Sequence, residues 1–405
     1  MVEEEKEQGV DSMYQQDSAN LMLDVEFNFS VSNPEDNGSS IVYQTKGVDK
    51  QGAWEGKRRY SDFFNLYEAL LKRWAGCPIP FMPEKKVIGA KDIQFLQDRT
   101  FYLQRFLRKC ARFEFIIESQ EFQLFSRPQG LSIEKSLKGL MPLSSAAKFD
   151  RIKAVTKIEP GNYDSSAFAG YRQKITEFNL FFNKIMPMLA NKRLVLSNIM
   201  QNKQSCNHSY QMLGKFLSDY EDCNLTNYLD YNTNGLIFNH ANNTKQKERL
   251  EQVTGSLNNP YIEMYHYAKG EVFDLQAMHS AVEAWSAQLK YTADVEKQKW
   301  SLEKDVKNVS DGTKTLTTFY KSTSDTADMA NKIENMTRDI ASSKALCDLM
   351  TIYLGERIIP IFKKEKIDLY RKVFAQFQVT EITNCHKTAG LWASILENET
   401  VRAAK

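Results

Sequence analysis

The chain has 405 residues, more than one domain usually holds, so two or more structural units are expected. Its 53 Lys and Arg against 51 Asp and Glu exclude a polycation that binds nucleic acid by bulk charge, and no nucleic-acid partner is expected. The six cysteines lie far apart without a Cys-x-x-Cys pair, which argues against a disulfide framework or zinc site, so neither metal nor cofactor is expected.

Residues 1–20 carry six acidic side chains and one lysine, which predicts a disordered acidic tail. They lack the apolar segment of a signal peptide, and none is expected. No apolar run approaches the ~20 residues that span a bilayer, and the mean hydropathy is −0.49. Any membrane contact is therefore expected to be peripheral.

A small antiparallel sheet is predicted after this tail. Apolar and polar residues alternate over Leu21–Val31, which indicates a half-buried strand. Residues 41–45 and 54–60 predict a second and a third strand, with Gly47 and Gly52 at the bend between them.

Helices and a proline-rich loop follow the sheet. Ser61–Asp62 are candidate caps for a helix over residues 63–74. The three prolines of residues 78–86 favour an extended loop. Helical patterns then cover residues 92–110 and 113–125, so the whole segment is predicted to form an α+β domain.

Three separate sources of positive charge lie within this segment. They are Arg58–Arg59 beside Tyr60, Lys85–Lys86 at the end of the loop, and Arg99 on the following helix. A planar guanidinium binds phosphate oxygens through two parallel hydrogen bonds, and lysine adds a mobile point charge. An aromatic ring that excludes water strengthens such bonds. Around one cavity, these groups suit a small, highly phosphorylated ligand that is not a protein.

The order of three motifs resembles a PX (phox homology) domain. They are Arg-Arg-Tyr-Ser-Asp-Phe at 58–63, Pro-Glu-Lys at 83–85, and a helix with Arg99 followed by Leu103-x-x-Phe106-Leu107. The resemblance implies a domain over residues 21–128 that binds phosphatidylinositol 3-phosphate.

Four ligand contacts are implied by the same resemblance. Arg59 would hold the 3-phosphate and Tyr60 would pack against the inositol ring. Lys85 would meet the 1-phosphate, and Arg99 would bind the 4- and 5-hydroxyls.

The proline-rich loop departs from the usual pattern of the family, which reads Pro-Pro-x-Pro-x-Lys. Phe81 takes the place of the second proline. An aromatic side chain can wedge into the headgroup layer, so Phe81, Met82 and Lys86 are predicted to contact the membrane.

Residues 129–164 predict a basic amphipathic linker. Apolar residues recur at helical spacing among lysines and arginines: Ile133, Leu137, Leu140 and Met141 before Pro142, and Phe149, Ile152, Val155 and Ile158 after it. Such a helix can lie in the headgroup layer, or it can pack on the neighbouring domain. The sequence leaves both interpretations open.

Apolar residues then follow three–four spacing over three long segments. The first, residues 165–220, would give a helix of about 55 residues and about 80 Å. The second ends near Val309, and the third, beyond Ile333, is disturbed at Pro360. These heptads predict an elongated, antiparallel three-helix coiled coil over residues 165–405.

A PX domain, a linker and three long helices resemble a sorting nexin of the PX-BAR class. The resemblance implies a BAR-like domain that forms a homodimer, or a heterodimer with another sorting nexin, and that senses or induces membrane curvature. It also implies basic residues that face lipid near the tip of the second helix. The candidates are Lys297, Lys299, Lys304, Lys307 and Lys314.

The predicted protein is non-catalytic and cytoplasmic, and it binds phosphatidylinositol 3-phosphate peripherally on endosomes in sorting and in vesicle or tubule trafficking. Coat or cargo proteins are further candidate partners. The alternative is a PX-targeted scaffold that recruits partners without remodelling the membrane. An enzyme is not expected, because the chain lacks a Gly-rich phosphate loop with Lys-Ser/Thr and an Asp-Phe-Gly signature, and its five histidines form no dyad.

Overall fold

The computed structural model describes residues 28–38, 40–85, 93–130, 132–221, 244–311 and 325–396. The chain divides into two compact units. The first comprises Met1–Phe182 and Phe273–Pro360, and the second comprises Asn183–Val272 and Ile361–Lys405.

The first unit contains an antiparallel sheet with the strand order β1–β2–β3. The strands are β1 (Asn28–Asp36), β2 (Ile41–Asp49) and β3 (Gly52–Arg59). The part of the first predicted strand before Asn28 lies outside the described residues.

Gly47 lies inside β2 and not at the predicted bend. It faces Phe29 of β1 on one side and Trp54 of β3 on the other. A Cβ atom on Gly47 would lie 2.4 Å from the Phe29 ring and 2.5 Å from the Trp54 ring, so only glycine fits between the two aromatics. Gly52 does lie at the bend, where its φ of 104° is a conformation that favours glycine.

Four helices accompany the sheet in the described residues of the α+β part. They are α1 (Tyr60–Arg73), α2 (Ile93–Ala111), α3 (Glu114–Ile117) and α4 (Gln120–Ser126). The N-cap of α1 is Arg59, so the predicted caps Ser61 and Asp62 lie within its first turn. There the Asp62 carboxylate accepts a hydrogen bond from the Arg59 backbone N–H at 2.8 Å, a favoured place for negative charge on a helix.

The linker packs on the protein itself. It forms α5 (Ile133–Lys138), α6 (Ser145–Thr156) and a short 3-10 turn (Pro160–Asn162). Ile133, Leu137, Ile152 and Ile158 are at most 9% exposed and share one core with the sheet and α1. Leu140 and Phe149 are partly buried against the same core, whereas Met141 and Val155 are exposed. Most of the apolar face of the linker is therefore used inside the fold, which is the second of the two interpretations.

Helices account for nearly all of the remaining described residues, and all of them except α8 are long. They are α7 (Ser165–Asp219), α8 (Thr244–Gly255), α9 (Tyr261–Ser310), α10 (Asp325–Ile352) and α11 (Ile359–Leu396). The heptads predicted α7 well, since it has 55 residues and continues through Pro187. An α+β domain followed by long helices confirms the predicted fold class.

A π-helical turn, Tyr353–Ile358, joins α10 to α11 just before Pro360. Proline has no backbone N–H to donate, so a carbonyl in the preceding turn needs another partner. The Gly355 carbonyl accepts a hydrogen bond from Lys174 Nζ at 3.4 Å. α7 passes so close that a Cβ atom on Gly355 would lie 2.4 Å from the Tyr171 Cβ.

Two small apolar clusters lie among the described residues of the second unit. Leu196, Met264, Tyr267, Ala268 and Val373 form one, and Leu250, Leu391 and Ile395 form the other. Many large apolar side chains of its helices stay exposed. Examples are Met188, Leu194 and Phe216 on α7 and Ile367, Tyr370 and Val379 on α11.

None of the helices in the described part of the chain has the length and apolar character that crossing a bilayer requires.

Candidate functional site

The two arginines at the end of β3 have different surroundings. Arg58 is 4% exposed and donates hydrogen bonds to the carbonyls of Phe125 at 2.8 Å and Ser126 at 2.9 Å, at the end of α4. Successive strand residues face opposite sides of a sheet, and Arg59 is exposed. Arg58 therefore stabilises the fold, and of this pair only Arg59 is accessible to a ligand.

Tyr60, the first residue of α1, connects that helix to the proline-rich loop. Its hydroxyl donates a hydrogen bond to the Pro83 carbonyl at 2.5 Å. Burial raises the pKa of Tyr60 despite the opposing charge of Arg99, so the hydroxyl stays protonated and remains a donor. The half-buried ring of Tyr60 forms one wall of the site.

Arg99 lies in the second turn of α2 between two aromatic rings. Its guanidinium carbon is 4.6 Å from the Tyr60 ring centroid and 4.2 Å from that of Phe95. Arg99 is only 7% exposed, yet its Nη2 has no hydrogen-bond partner among the described residues. The nearby Tyr43 hydroxyl is also buried, and this burial raises the pKa of Tyr43 against the effect of the Arg99 charge. A buried guanidinium N–H is thus left for an external acceptor.

The loop places Lys85 two residues after the carbonyl that Tyr60 anchors. Lys85 and the adjacent Glu84 are exposed. The structure therefore brings Tyr60 and Arg99 into direct contact. Arg59 precedes Tyr60 directly in the chain, and Lys85 follows the anchored Pro83 by two residues. Lys86 lies outside the described residues.

Phe81 and Met82 are not placed for membrane contact, which corrects the prediction. The Phe81 ring centroid lies 5.7 Å from that of Tyr67 on α1 and 5.7 Å from that of Phe273 on α9. Met82 is 3% exposed and belongs to the core. Apolar side chains of the first unit make the contacts with Phe81 and Met82 that lipid was predicted to make.

An ion-pair cluster lies in the same part of the first unit. Arg105 Nη2 of α2 lies 3.0 Å from each carboxylate oxygen of Asp274 on α9, and Lys109 Nζ lies 3.4 Å from one of them. Tyr102 packs edge-on against Phe273, with ring centroids 5.2 Å apart. The ligand-site helix α2 and the first turns of α9 beyond Val272 thus share polar and aromatic contacts.

The predicted basic residues of α9 lie on two different faces. Lys297, Lys304 and Lys307 are exposed. Lys299 pairs with Glu303 at 3.5 Å, and its side chain is 26% exposed. Two residues correspond to about 200° around a helix, so Lys299 does not face the side of Lys297. Lys314 lies outside the described residues.

Comparison with known proteins agrees with this arrangement. The family model described as PX domain matches residues 47–129. The fold is similar to that in the cryo-EM structure of the SNX-BAR Mvp1 tetramer, with a TM-score of 0.57 at 14% sequence identity. That match covers 91% of this chain and 99% of the other chain.

The chain therefore carries a PX domain, and its fold is similar to that of a PX-BAR sorting nexin. Vacuolar protein sorting-associated protein vps5 of Schizosaccharomyces pombe is 39% identical over 69 residues, which are 17% of this chain and 12% of that protein. Sorting nexin-4 of Saccharomyces cerevisiae is 35% identical over 122 residues, 24% of this chain and 29% of that protein. Sorting nexin-8 of Mus musculus is 35% identical over 81 residues, 20% of this chain and 17% of that protein. The match therefore spans less than a third of each of these relatives.

Two residues that lie beside Arg99, Tyr43 and Phe95, were not among the predicted site residues. Phe95 lies four residues before Arg99, a spacing that brings two helical side chains together, so this contact had a local signal. Tyr43 had none, because its place beside Arg99 depends on how β2 and α2 pack.

Proposed function

We propose that the protein is a PX-BAR sorting nexin, which binds phosphatidylinositol 3-phosphate on endosomal membranes as a non-catalytic peripheral protein. The observation that carries the proposal is the buried Arg99, whose Nη2 has no hydrogen-bond partner among the described residues. Leaving a buried donor unpaired costs about 1–3 kcal/mol. A ligand with acceptor oxygens at this point recovers that cost.

Each residue of the PX site has a distinct role in this proposal. Arg99 donates to the 4- and 5-hydroxyls of the inositol ring, which packs on Tyr60. The exposed Arg59 binds the 3-phosphate, and Lys85 binds the 1-phosphate. The Tyr60–Pro83 hydrogen bond supports these roles, because it fixes the loop that carries Lys85 relative to the ring wall.

We also propose that the helices form a BAR-type dimer, either with a second copy or with another sorting nexin. The support is the exposed apolar side chains of α7 and α11 in the second unit, since monomeric soluble proteins rarely leave large apolar patches uncovered. A dimer presents two PX sites to one membrane, and linked binding raises the overall affinity without new contacts.

The cellular role that follows is endosomal sorting, in which the dimer senses or induces membrane curvature and cooperates with coat or cargo proteins. The exposed Lys297, Lys304 and Lys307 support membrane contact, because each such residue contributes about 1 kcal/mol near an anionic surface. In the alternative role the protein is a scaffold that leaves the membrane undeformed. Electron microscopy of vesicles with bound protein separates the two, because only the first role gives tubules.

Vesicle flotation tests the ligand assignment. Arg59→Ala should weaken binding to vesicles with phosphatidylinositol 3-phosphate at least about tenfold, as loss of a charge-assisted contact predicts. Lys72→Ala is the matched control, because Lys72 is an exposed lysine near the far end of α1 that pairs with Glu68. If Arg59→Ala binds these vesicles as tightly as the control, the proposed site is wrong.

A further inference from the structure

A cleft of about 620 Å³ lies in the first unit, and its lining shares no residue with the PX site. Ala69 of α1 and Ala284 and Ala287 of α9 line it, and their small side chains leave room for a ligand. Leu140 and Leu143 of the linker add larger apolar side chains. The volume falls within the roughly 300–1,000 Å³ of ligand sites in proteins.

The wall of this cleft at Met141 is held in place by the protein itself. Arg73 Nη1 donates a hydrogen bond to the Met141 carbonyl at 2.6 Å, and Nε of the same guanidinium pairs with Glu121. Met141 lines the cleft and is nevertheless 76% exposed. The wall is therefore formed before a ligand arrives, which lowers the cost of binding, and a ligand that covers Met141 gains apolar burial.

Asn65 of α1 is a polar residue of the cleft without a partner of its own. It is 9% exposed, yet its side-chain amide forms no hydrogen bond with a described residue. A buried amide is destabilising until something in the cleft supplies the partner. Because this group both donates and accepts, it matches a peptide group, which offers one N–H and one carbonyl.

Lys148 of α6 is a second such residue. It is half-buried in the lining and makes no ion pair with a described residue. The other lining cations, Lys72, Arg73 and Lys138, each pair with a glutamate. Burial lowers the pKa of Lys148. An anionic group in the cleft would therefore meet an ammonium group that has no counter-ion in the described part of the chain.

We propose that this cleft is a docking site for a short peptide segment of a partner protein, in which a large apolar side chain lies beside an acidic one. The apolar side chain covers the alanines and leucines. The carboxylate pairs with Lys148, and a backbone peptide group forms hydrogen bonds with Asn65.

A phospholipid headgroup fits the cleft less well than a peptide does. Phosphate binding draws on several cationic donors, and three of the four lining cations are already paired. The docking site also does not rest on the proposed lipid binding. Arg59→Ala should leave peptide binding unchanged, and cleft variants should leave binding to vesicles with phosphatidylinositol 3-phosphate unchanged, so either assignment can fail alone.

Selection of phage-displayed random peptides on the whole chain, followed by fluorescence anisotropy with the enriched peptides, gives the first test. Enriched sequences should share a large apolar residue beside Asp or Glu. Ala287→Phe should weaken their binding at least about tenfold, because the new ring fills the cleft. Ser286→Phe is the matched control, because it adds the same ring at the next exposed residue of α9, which does not line the cleft.

The two polar residues give the second test, with the same peptides. Lys148→Met should bind about tenfold more weakly, since it keeps the stem and loses the charge. Lys153→Met, a half-buried lysine of the same helix that pairs with Glu159, should bind like the wild type. Asn65→Leu should bind about three- to tenfold more weakly without unfolding at a lower temperature, because its amide has no partner to lose among the described residues.

The proposal is overturned if no family of peptides is enriched, or if enriched peptides bind Ala287→Phe and Lys148→Met as tightly as the two controls. A lower unfolding temperature of Asn65→Leu would overturn the role of Asn65 in the peptide contact. A change in the oligomeric mass of Ala287→Phe, but not of Ser286→Phe, would also overturn the proposal, because the cleft would then be a contact between copies of the chain.

Discussion

Phe81→Ala tests whether the proline-rich loop is held by the protein or by lipid. Truncating a fully buried phenylalanine costs about 3–5 kcal/mol. Phe81 is only half-buried, between the rings of Tyr67 and Phe273. We therefore expect the free energy of unfolding to fall by about 2 kcal/mol, since part of the ring is already in contact with water.

The same substitution should weaken the binding of a headgroup that carries no membrane. Phe81 lies two residues before Pro83, whose carbonyl accepts the Tyr60 hydrogen bond. Without the Phe81 contacts the loop has to be ordered on binding, which should lower the affinity about three- to tenfold. Insertion of Phe81 into lipid would instead leave this affinity unchanged.

Urea denaturation and calorimetric titration with short-chain, water-soluble phosphatidylinositol 3-phosphate measure the two effects. Phe273→Ala and the double variant complete a cycle, in which the coupling between the two rings should be about 1 kcal/mol. The reasoning is refuted if Phe81→Ala keeps its stability and its soluble-headgroup affinity but binds vesicles more weakly.

Two further substitutions test the first unit. Burial alone would raise the pKa of Glu121, but hydrogen bonds from Arg151 and Arg73 lower it below its usual value. Glu121 therefore stabilises the fold above about pH 4.3, and this stabilisation is lost as the pH falls through its lower folded pKa. Glu121→Gln should lower the free energy of unfolding by about 3–5 kcal/mol at pH 7. It should also make the stability depend less on pH at acidic pH, and an unchanged dependence there would contradict this. Gly355→Ala should lower the free energy of unfolding by about 1–3 kcal/mol, because its Cβ would meet the Tyr171 backbone and Cβ. If the variant unfolds at the same temperature as the wild type, α7 moves away from the new methyl group at no cost, and the expectation is wrong.

Local patterns were sufficient for much of this fold. The heptads predicted α7 because a long amphipathic helix repeats one rule along its whole length. The PX site was predicted at Arg59, Tyr60, Lys85 and Arg99 because each lies in a short motif with a distinct spacing. The contact of Arg99 with Tyr60 follows that prediction, although ligand binding itself remains a proposal.

Long-range contacts set the limit of sequence reasoning. An aromatic residue in a proline-rich loop is equally suited to lipid insertion and to packing, and the partner that decides between them, Phe273, is far away in the chain. The sequence also could not tell which residue of the pair Arg58–Arg59 is buried. The carbonyls that accept hydrogen bonds from Arg58 belong to α4, which is far away in the chain. The mistaken placement of Lys299 was avoidable, since helical periodicity alone separates it from Lys297.

The π-helical turn changes the spacing of buried residues between α10 and α11. Leu354 and Ile359 are both buried, at 0% and 1% exposure, and they are five residues apart where an α-helix would use three or four. The turn thus acts as a one-residue skip in the repeat. Deleting one residue from it would give a regular α-helix in which every later side chain keeps its present face. Forcing the present sequence into a regular α-helix would instead rotate every later side chain by about 100°. The extra residue of the turn therefore keeps Leu354 and Ile359 together on the buried side of the helix.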